Sequence, residues 1–166
     1  MTPERPALPP APEGLRIGHV HLRVADLDRA IAFYRDVLGL DLVQRYGPGA
    51  AFLSAGGYHH HIGLNTWDSL GGTPPPRGHT GLYHTAFLYP TRRDLAQAVR
   101  RVAAAGIDLD GAADHGVSEA LYLRDPDENG VELYWDRPRD AWPVGANGHL
   151  RMVNAPLDME GLMALA

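Results

Sequence analysis

The sequence predicts an α+β fold: two tandem βαβββ modules whose strands form a curved, mostly antiparallel sheet. Three observations lead there. Strand-length alternations of apolar and polar residues recur in both halves of the chain. One helical pattern with an acidic or hydroxyl cap follows the first strand of each half. Clusters of Gly, Pro, Asp and Asn punctuate the segments at corresponding places. The order repeats although the residues do not. One module alone would bury little, whereas two can share a core. The 166 residues, 45% of them hydrophobic, amount to one domain with enough apolar material to fill it.

In the first module, Ile17–Val24 alternates as a strand, with Val20, Leu22 and Val24 on one face. Asp26 is placed to cap a helix built on Ile31, Phe33, Tyr34, Val37 and Leu38, and Gly39 suits its end. Strands are predicted at Asp41–Tyr46, Ala50–Ala55 and Tyr58–Leu64, with Gly47-Pro-Gly49 and Gly56-Gly57 as hairpin turns. The stretch Gly71–Gly78 contains three consecutive prolines and separates the modules. In the second module, Leu82–Tyr89 reads as a strand and Thr91 caps a helix on Leu95, Val99 and Val102 that Gly106 ends. Strands follow at Ile107–Asp110, Glu119–Arg124 and Gly130–Trp135, with residues 125–129 as a turn. The predicted organisation is an extended arm over residues 1–14, a domain over 15–138 with modules at about 15–67 and 81–138, and a tail over 139–166. The tail ends in a short apolar, helical-looking stretch from Leu157 to Ala166.

Composition excludes several chemistries. Fifteen basic against 20 acidic residues give a net charge of -5, which argues against nucleic acid as a partner. No run approaches the roughly 18 apolar residues of a membrane span, and the first residues lack the pattern of a secretory signal, so a cytoplasmic protein with no membrane partner is expected. Cysteine is absent, which removes disulfides, thiolate metal sites and cysteine nucleophiles. The dinucleotide fingerprint fails at Phe52, no phosphate-loop motif occurs, and none of the three serines lies in a nucleophile elbow.

Histidine is the conspicuous residue: there are nine, five of them between His59 and His84. His19 and His84 stand at corresponding places in the first strands of the two modules. Glu132 sits among Val131, Leu133 and Trp135 on a late strand, where a carboxylate must pair, bind a metal or face solvent. Two imidazoles and one carboxylate on one face of an ion leave its other positions open, as non-haem Fe(II) oxygen chemistry requires. The same donors suit Mn(II), Zn(II) and Ni(II).

The segments Ile17-Gly-His-Val-His-Leu-Arg-Val-Ala-Asp-Leu27, Ala32-Phe-Tyr-Arg-Asp-Val-Leu-Gly-Leu40 and Asp125-Pro-Asp-Glu-Asn-Gly-Val-Glu-Leu-Tyr134 resemble the vicinal oxygen chelate superfamily. That superfamily includes glyoxalase I, fosfomycin-resistance transferases, bleomycin-binding proteins and extradiol dioxygenases. The resemblance implies a cup-like sheet around a metal held by His19, His84 and Glu132. The stretches 51–67 and 114–125 are similar to the catechol 2,3-dioxygenase branch. That likeness implies a small aromatic diol and O2 as substrates, with His61 acting on oxygen and His115 and Tyr122 on the diol. His60 is one register slip from His61. A homo-oligomer is compatible with the resemblance. The fourth, carboxylate ligand of glyoxalase I has no counterpart, because no Asp or Glu occurs between Asp41 and Asp68. A metal-dependent glyoxalase or fosfomycin-type thiol transferase, and a metal-free drug-binding protein, are the alternatives. The usual Gly of the Asp-Gly-Asn turn is Glu128 here, which requires that position to accept the turn geometry.

Overall fold

Strand pairing divides the eight strands evenly between the modules. The computed structural model describes residues 9–76 and 78–166; the first eight residues of the expected N-terminal arm lie outside the described residues. The first sheet contains β1 (Val20–Arg23), β2 (Asp41–Tyr46), β3 (Ala50–Ser54) and β4 (Ile62–Asn65), in the order β1-β4-β3-β2. The second contains β5 (Thr85–Leu88), β6 (Gly111–Asp114), β7 (Ser118–Arg124) and β8 (Gly130–Asp136), in the order β5-β8-β7-β6. The first strand of each module pairs in parallel with the last, and the other pairings are antiparallel. The curved sheet expected of the α+β fold is thus built as two open four-stranded sheets, with β1 and β5 as edges.

Helix α1 (Leu27–Ala32) starts where the Asp26 carboxylate accepts from Arg29 N–H at 3.0 Å. It widens into a π-helical stretch over Phe33–Val37, and Gly39 then takes a φ of 84° to leave it. Helix α2 (Arg92–Ala104) starts on Thr91, whose side chain accepts from Asp94 N–H. Both caps satisfy amides that a helix start would leave unpaired.

The alternation along each strand sends Leu22, Val24, Leu53, Ile62 and Leu64 of the first sheet into the same core as Leu121, Leu123, Val131 and Leu133 of the second. Both helices fill that core, α2 with Leu95, Val99 and Val102. The other face carries His21 and Phe52 in the first sheet and Tyr122, Glu132 and Tyr134 in the second. Helix α3 (Met159–Met163) closes the chain, with Leu162 fully buried.

Several bounds differ from expectation. The strand expected from Ile17 begins at Val20, and the one expected at Tyr58–Leu64 begins at Ile62, because residues 58–61 bend irregularly after the Gly56–Gly57 turn. The strand expected at Ile107–Asp110 forms at Gly111–Asp114 instead. Ile107 and Leu109 pack against the core, so their alternation reflects burial beside α2 and not sheet pairing.

Candidate metal and substrate site

Strand β8 lies in the middle of the second sheet, and its register places Glu132 beside Tyr122 on one flank and Ala86 on the other. Directly opposed residues on adjacent strands project from the same face. The Tyr122 hydroxyl therefore comes within 3.2 Å of Glu132 Oε1. His84, one residue ahead of β5, brings Nε2 to 2.9 Å from Glu132 Oε2. Gly130 makes this approach possible: a Cβ there would lie 2.0 Å from the Tyr83 carbonyl oxygen and 3.0 Å from His84 Cβ.

His115 occupies the turn between β6 and β7. Its Nε2 stands 2.7 Å from the Tyr122 hydroxyl, and its Nδ1 stands 3.0 Å from the Val153 carbonyl. A carbonyl only accepts, so Nδ1 carries the proton. In the neutral ring Nε2 is then an acceptor, and Tyr122 has a single hydrogen for two acceptors, His115 Nε2 and Glu132 Oε1. Burial, followed by the charge of Glu132 and its hydrogen bond, pushes the Tyr122 pKa up to about 12. Tyr122 remains a phenol at neutral pH.

The first sheet gathers a separate group. The His19 ring lies 4.4 Å from that of His60, which also packs on Phe52 at 5.0 Å. His59 and His60 share a 2.8 Å contact between their Nδ1 atoms. Burial, with the neighbouring histidines adding to it, lowers the pKa of His60. Burial and then His19 lower that of His21. His21 leans over Gly63, where a Cβ would sit 2.9 Å from its ring. His61 Nδ1 accepts from the Ala55 amide at 3.3 Å and lies 2.9 Å from Ser54 Oγ. That assigns the proton of neutral His61 to Nε2, the reverse of His115.

The structure therefore brings together His84, Glu132, Tyr122 and His115 on the second sheet, and places His19 and His61 on the first. Among the described residues no three His, Asp or Glu side chains lie close enough to hold one ion. The pair His84–Glu132 does fit an ion. Two neighbouring donors about 2.1 Å from a metal, at about a right angle, stand about 3 Å apart, and these two are 2.9 Å apart. Among the described residues His84 Nδ1 is buried without a partner. The Val153 carbonyl, the Ser54 hydroxyl and the Ala55 amide, which hold the rings of His115 and His61, have no signature in the sequence patterns.

Residues 16–133 match the Glyoxalase family, described as the Glyoxalase/Bleomycin resistance protein/Dioxygenase superfamily. The chain is 40% identical over 151 residues to a catechol-2,3-dioxygenase of Bacillus subtilis (strain 168), covering 91% of this chain and 52% of that protein. It is 37% identical over 123 residues to biphenyl-2,3-diol 1,2-dioxygenase 3 of Rhodococcus globerulus, covering 73% and 63% of the two chains. The chain thus spans less than two thirds of the length of either relative. A solved glyoxalase/dioxygenase structure from Nostoc punctiforme superposes with a TM-score of 0.64 at 22% identity, over 79% of this chain and 98% of that one. That likeness concerns the fold.

Proposed function

This chain belongs to the glyoxalase/bleomycin resistance protein/dioxygenase superfamily, and from that premise we propose that it is an extradiol dioxygenase, inserting both atoms of O2 into a catechol-type diol at a non-haem Fe(II). The observation that carries the reading is the His84–Glu132 donor pair flanked by the Tyr122–His115 contact. The likeness to relatives named as dioxygenases supports it.

In this reading His84, Glu132 and His19 would hold the metal, which would supply Lewis acidity and redox chemistry. Mn(II), Zn(II) and Ni(II) suit the same donors. Tyr122, kept protonated, hydrogen-bonds a diol oxygen, and His115 Nε2 takes the proton the diol gives up on binding. His61 holds its Nε2–H as a hydrogen-bond donor for negative charge developing on the reacting oxygen.

His19 and His61 are close neighbours in the first sheet, since Val20 N–H donates to the His61 carbonyl at 3.0 Å. In the proposed arrangement they act together from a second copy of the chain. Apolar residues directly ahead of β1 and β5 are uncovered: Ile17 is 90% and Tyr83 80% exposed, with Leu15 and Leu82 beside them. Bringing β1 of one copy along β5 of another would cover those residues and deliver His19 to the pair. Such burial is the usual drive for association.

The test is to load the protein anaerobically with Fe(II), add catechol, admit air and follow O2 uptake together with the absorbance of the ring-fission product. Stoichiometric uptake with a coloured product is expected. No turnover of catechol or alkylcatechols, with thiol transfer to fosfomycin under Mn(II), would replace this reading by a transferase.

A further inference from the structure

We propose that the C-terminal segment around Val153 is a positioning strap that fixes the tautomer of His115 and so decides which acceptor receives the Tyr122 hydrogen. The proposal deepens the dioxygenase reading, from which Tyr122 and His115 take their roles. The segment lies beyond the residues matched by the family, and no side chain in it points to this task from sequence.

Its path is set by backbone pairing. Asp114 and Ala155 exchange two hydrogen bonds of 2.9 Å each, forming an antiparallel bridge to the end of β6. Two residues earlier, Val153 N–H donates to the His115 carbonyl at 3.0 Å. The Val153 carbonyl accepts from His115 Nδ1, also at 3.0 Å. One strap residue therefore holds both the backbone and the ring of His115. The strap is anchored on both sides. Trp142 Nε1 donates to the Arg137 carbonyl at 2.8 Å, Arg92 donates to the Gly161 carbonyl at 3.2 Å, and Leu162 is fully buried.

Gly116 provides the close approach. A Cβ on it would lie 2.9 Å from Pro143 Cγ and 3.2 Å from Val153 Cγ2, and its φ of 76° belongs to the left-handed region. The residue next to His115 is thus shaped to let the strap lie flat.

The chemical consequence follows from counting hydrogens. With Nδ1–H given to Val153, Nε2 accepts, and Tyr122 can donate to His115. An imidazole freed from the carbonyl exchanges its proton between the two nitrogens. In the Nε2–H form it would donate to the Tyr122 oxygen, and the Tyr122 hydrogen would pass to Glu132. The ring would then have no lone pair facing the diol side, and a base would become a donor.

The experiment is long-range proton–nitrogen NMR of the nitrogen-15-labelled 166-residue chain at alkaline pH, where imidazoles are neutral, with His115→Gln identifying the signal. The wild type is expected to show His115 protonated on Nδ1 and bare on Nε2. Gly116→Ala, which pushes the strap away, and Val153→Pro, which removes the amide bond to His115, are expected to move the population toward Nε2–H. They should also lower kcat on catechol about 10-fold or more while KM is retained. Val153→Ala keeps the carbonyl and should match the wild type in both readings. His61, held as Nε2–H by Ala55, serves as an internal control for the fold. An Nε2–H ring in the wild type, or an unchanged tautomer in both strap variants, overturns the proposal. The tautomer is read without substrate, so the strap is tested even in a protein that does not turn over catechol.

Discussion

The Tyr34 hydroxyl donates to Asp125 Oδ2 at 2.9 Å and joins the helix of the first module to the last hairpin of the second across 91 residues. Asp125 also accepts from the amides of Asp127 and Asn129 and from the Asn129 side chain, each at 2.9 Å. The same hairpin reaches the first module through Asp127, which accepts from Ala25 N–H and pairs with Arg29 at 2.7 Å. Turn geometry and module docking therefore depend on two buried carboxylates, Asp125 and Asp127.

Tyr34→Phe should lower stability by about 1.5–3 kcal/mol, the range for a hydrogen bond to a charged group, measured by urea unfolding near neutral pH. Burial, then the charge of Asp125, raises the Tyr34 pKa well above its ordinary value of 10. A group whose folded pKa is raised contributes fully below the unfolded pKa and loses that contribution as pH climbs through the folded one. The stability gap between wild type and variant should thus narrow above about pH 10. A gap that holds constant through that rise would contradict the assignment.

Glu128 takes a φ of 64° in the turn between β7 and β8. It accepts the geometry its position demands, at the strain a side chain carries in the left-handed region. Glu128→Gly should therefore stabilise the protein by about 0.5–1 kcal/mol, seen as a higher thermal midpoint. The Arg124 contact to the residue 128 carbonyl survives the change.

Gly130→Ala is expected to do the opposite. The added Cβ meets backbone at Tyr83, not a movable side-chain tip, so β5 must separate from β8 beside His84. Metal retention after anaerobic loading should fall along with stability. Full retention would show that His84 does not depend on that pairing.

His19→Ala and Glu132→Ala should each abolish turnover in isolation. Unfolded together and refolded as a mixture, they should recover partial activity, because one copy supplies the intact first sheet and the other the intact second. No recovery would place His19 with the pair of its own chain.

Local patterns carried most of the fold. Asp41–Tyr46 was legible to the residue because Gly39 and Gly47 bracket it, and Asp26 and Thr91 marked the helix starts. Pairing partners far apart in the chain were not legible. The parallel match of Ala86 with Glu132 has no local signature, nor does the division of strands into two sheets. Glu132 and Tyr122 could be placed on adjoining strands from the hairpin turn between them. The contributions of Val153 and Ala55 come from backbone groups, which every residue possesses, so no residue pattern announces them.

Ring cleavage with insertion of both oxygen atoms is decided by turnover of a catechol under oxygen-18 gas with the Fe(II)-loaded protein, followed by mass spectrometry of the trapped ring-fission product. Each product molecule is expected to carry two labelled oxygens, one of them in the carboxylate. A product labelled at one position only, or a ring left intact, would rule out the dioxygenase reading.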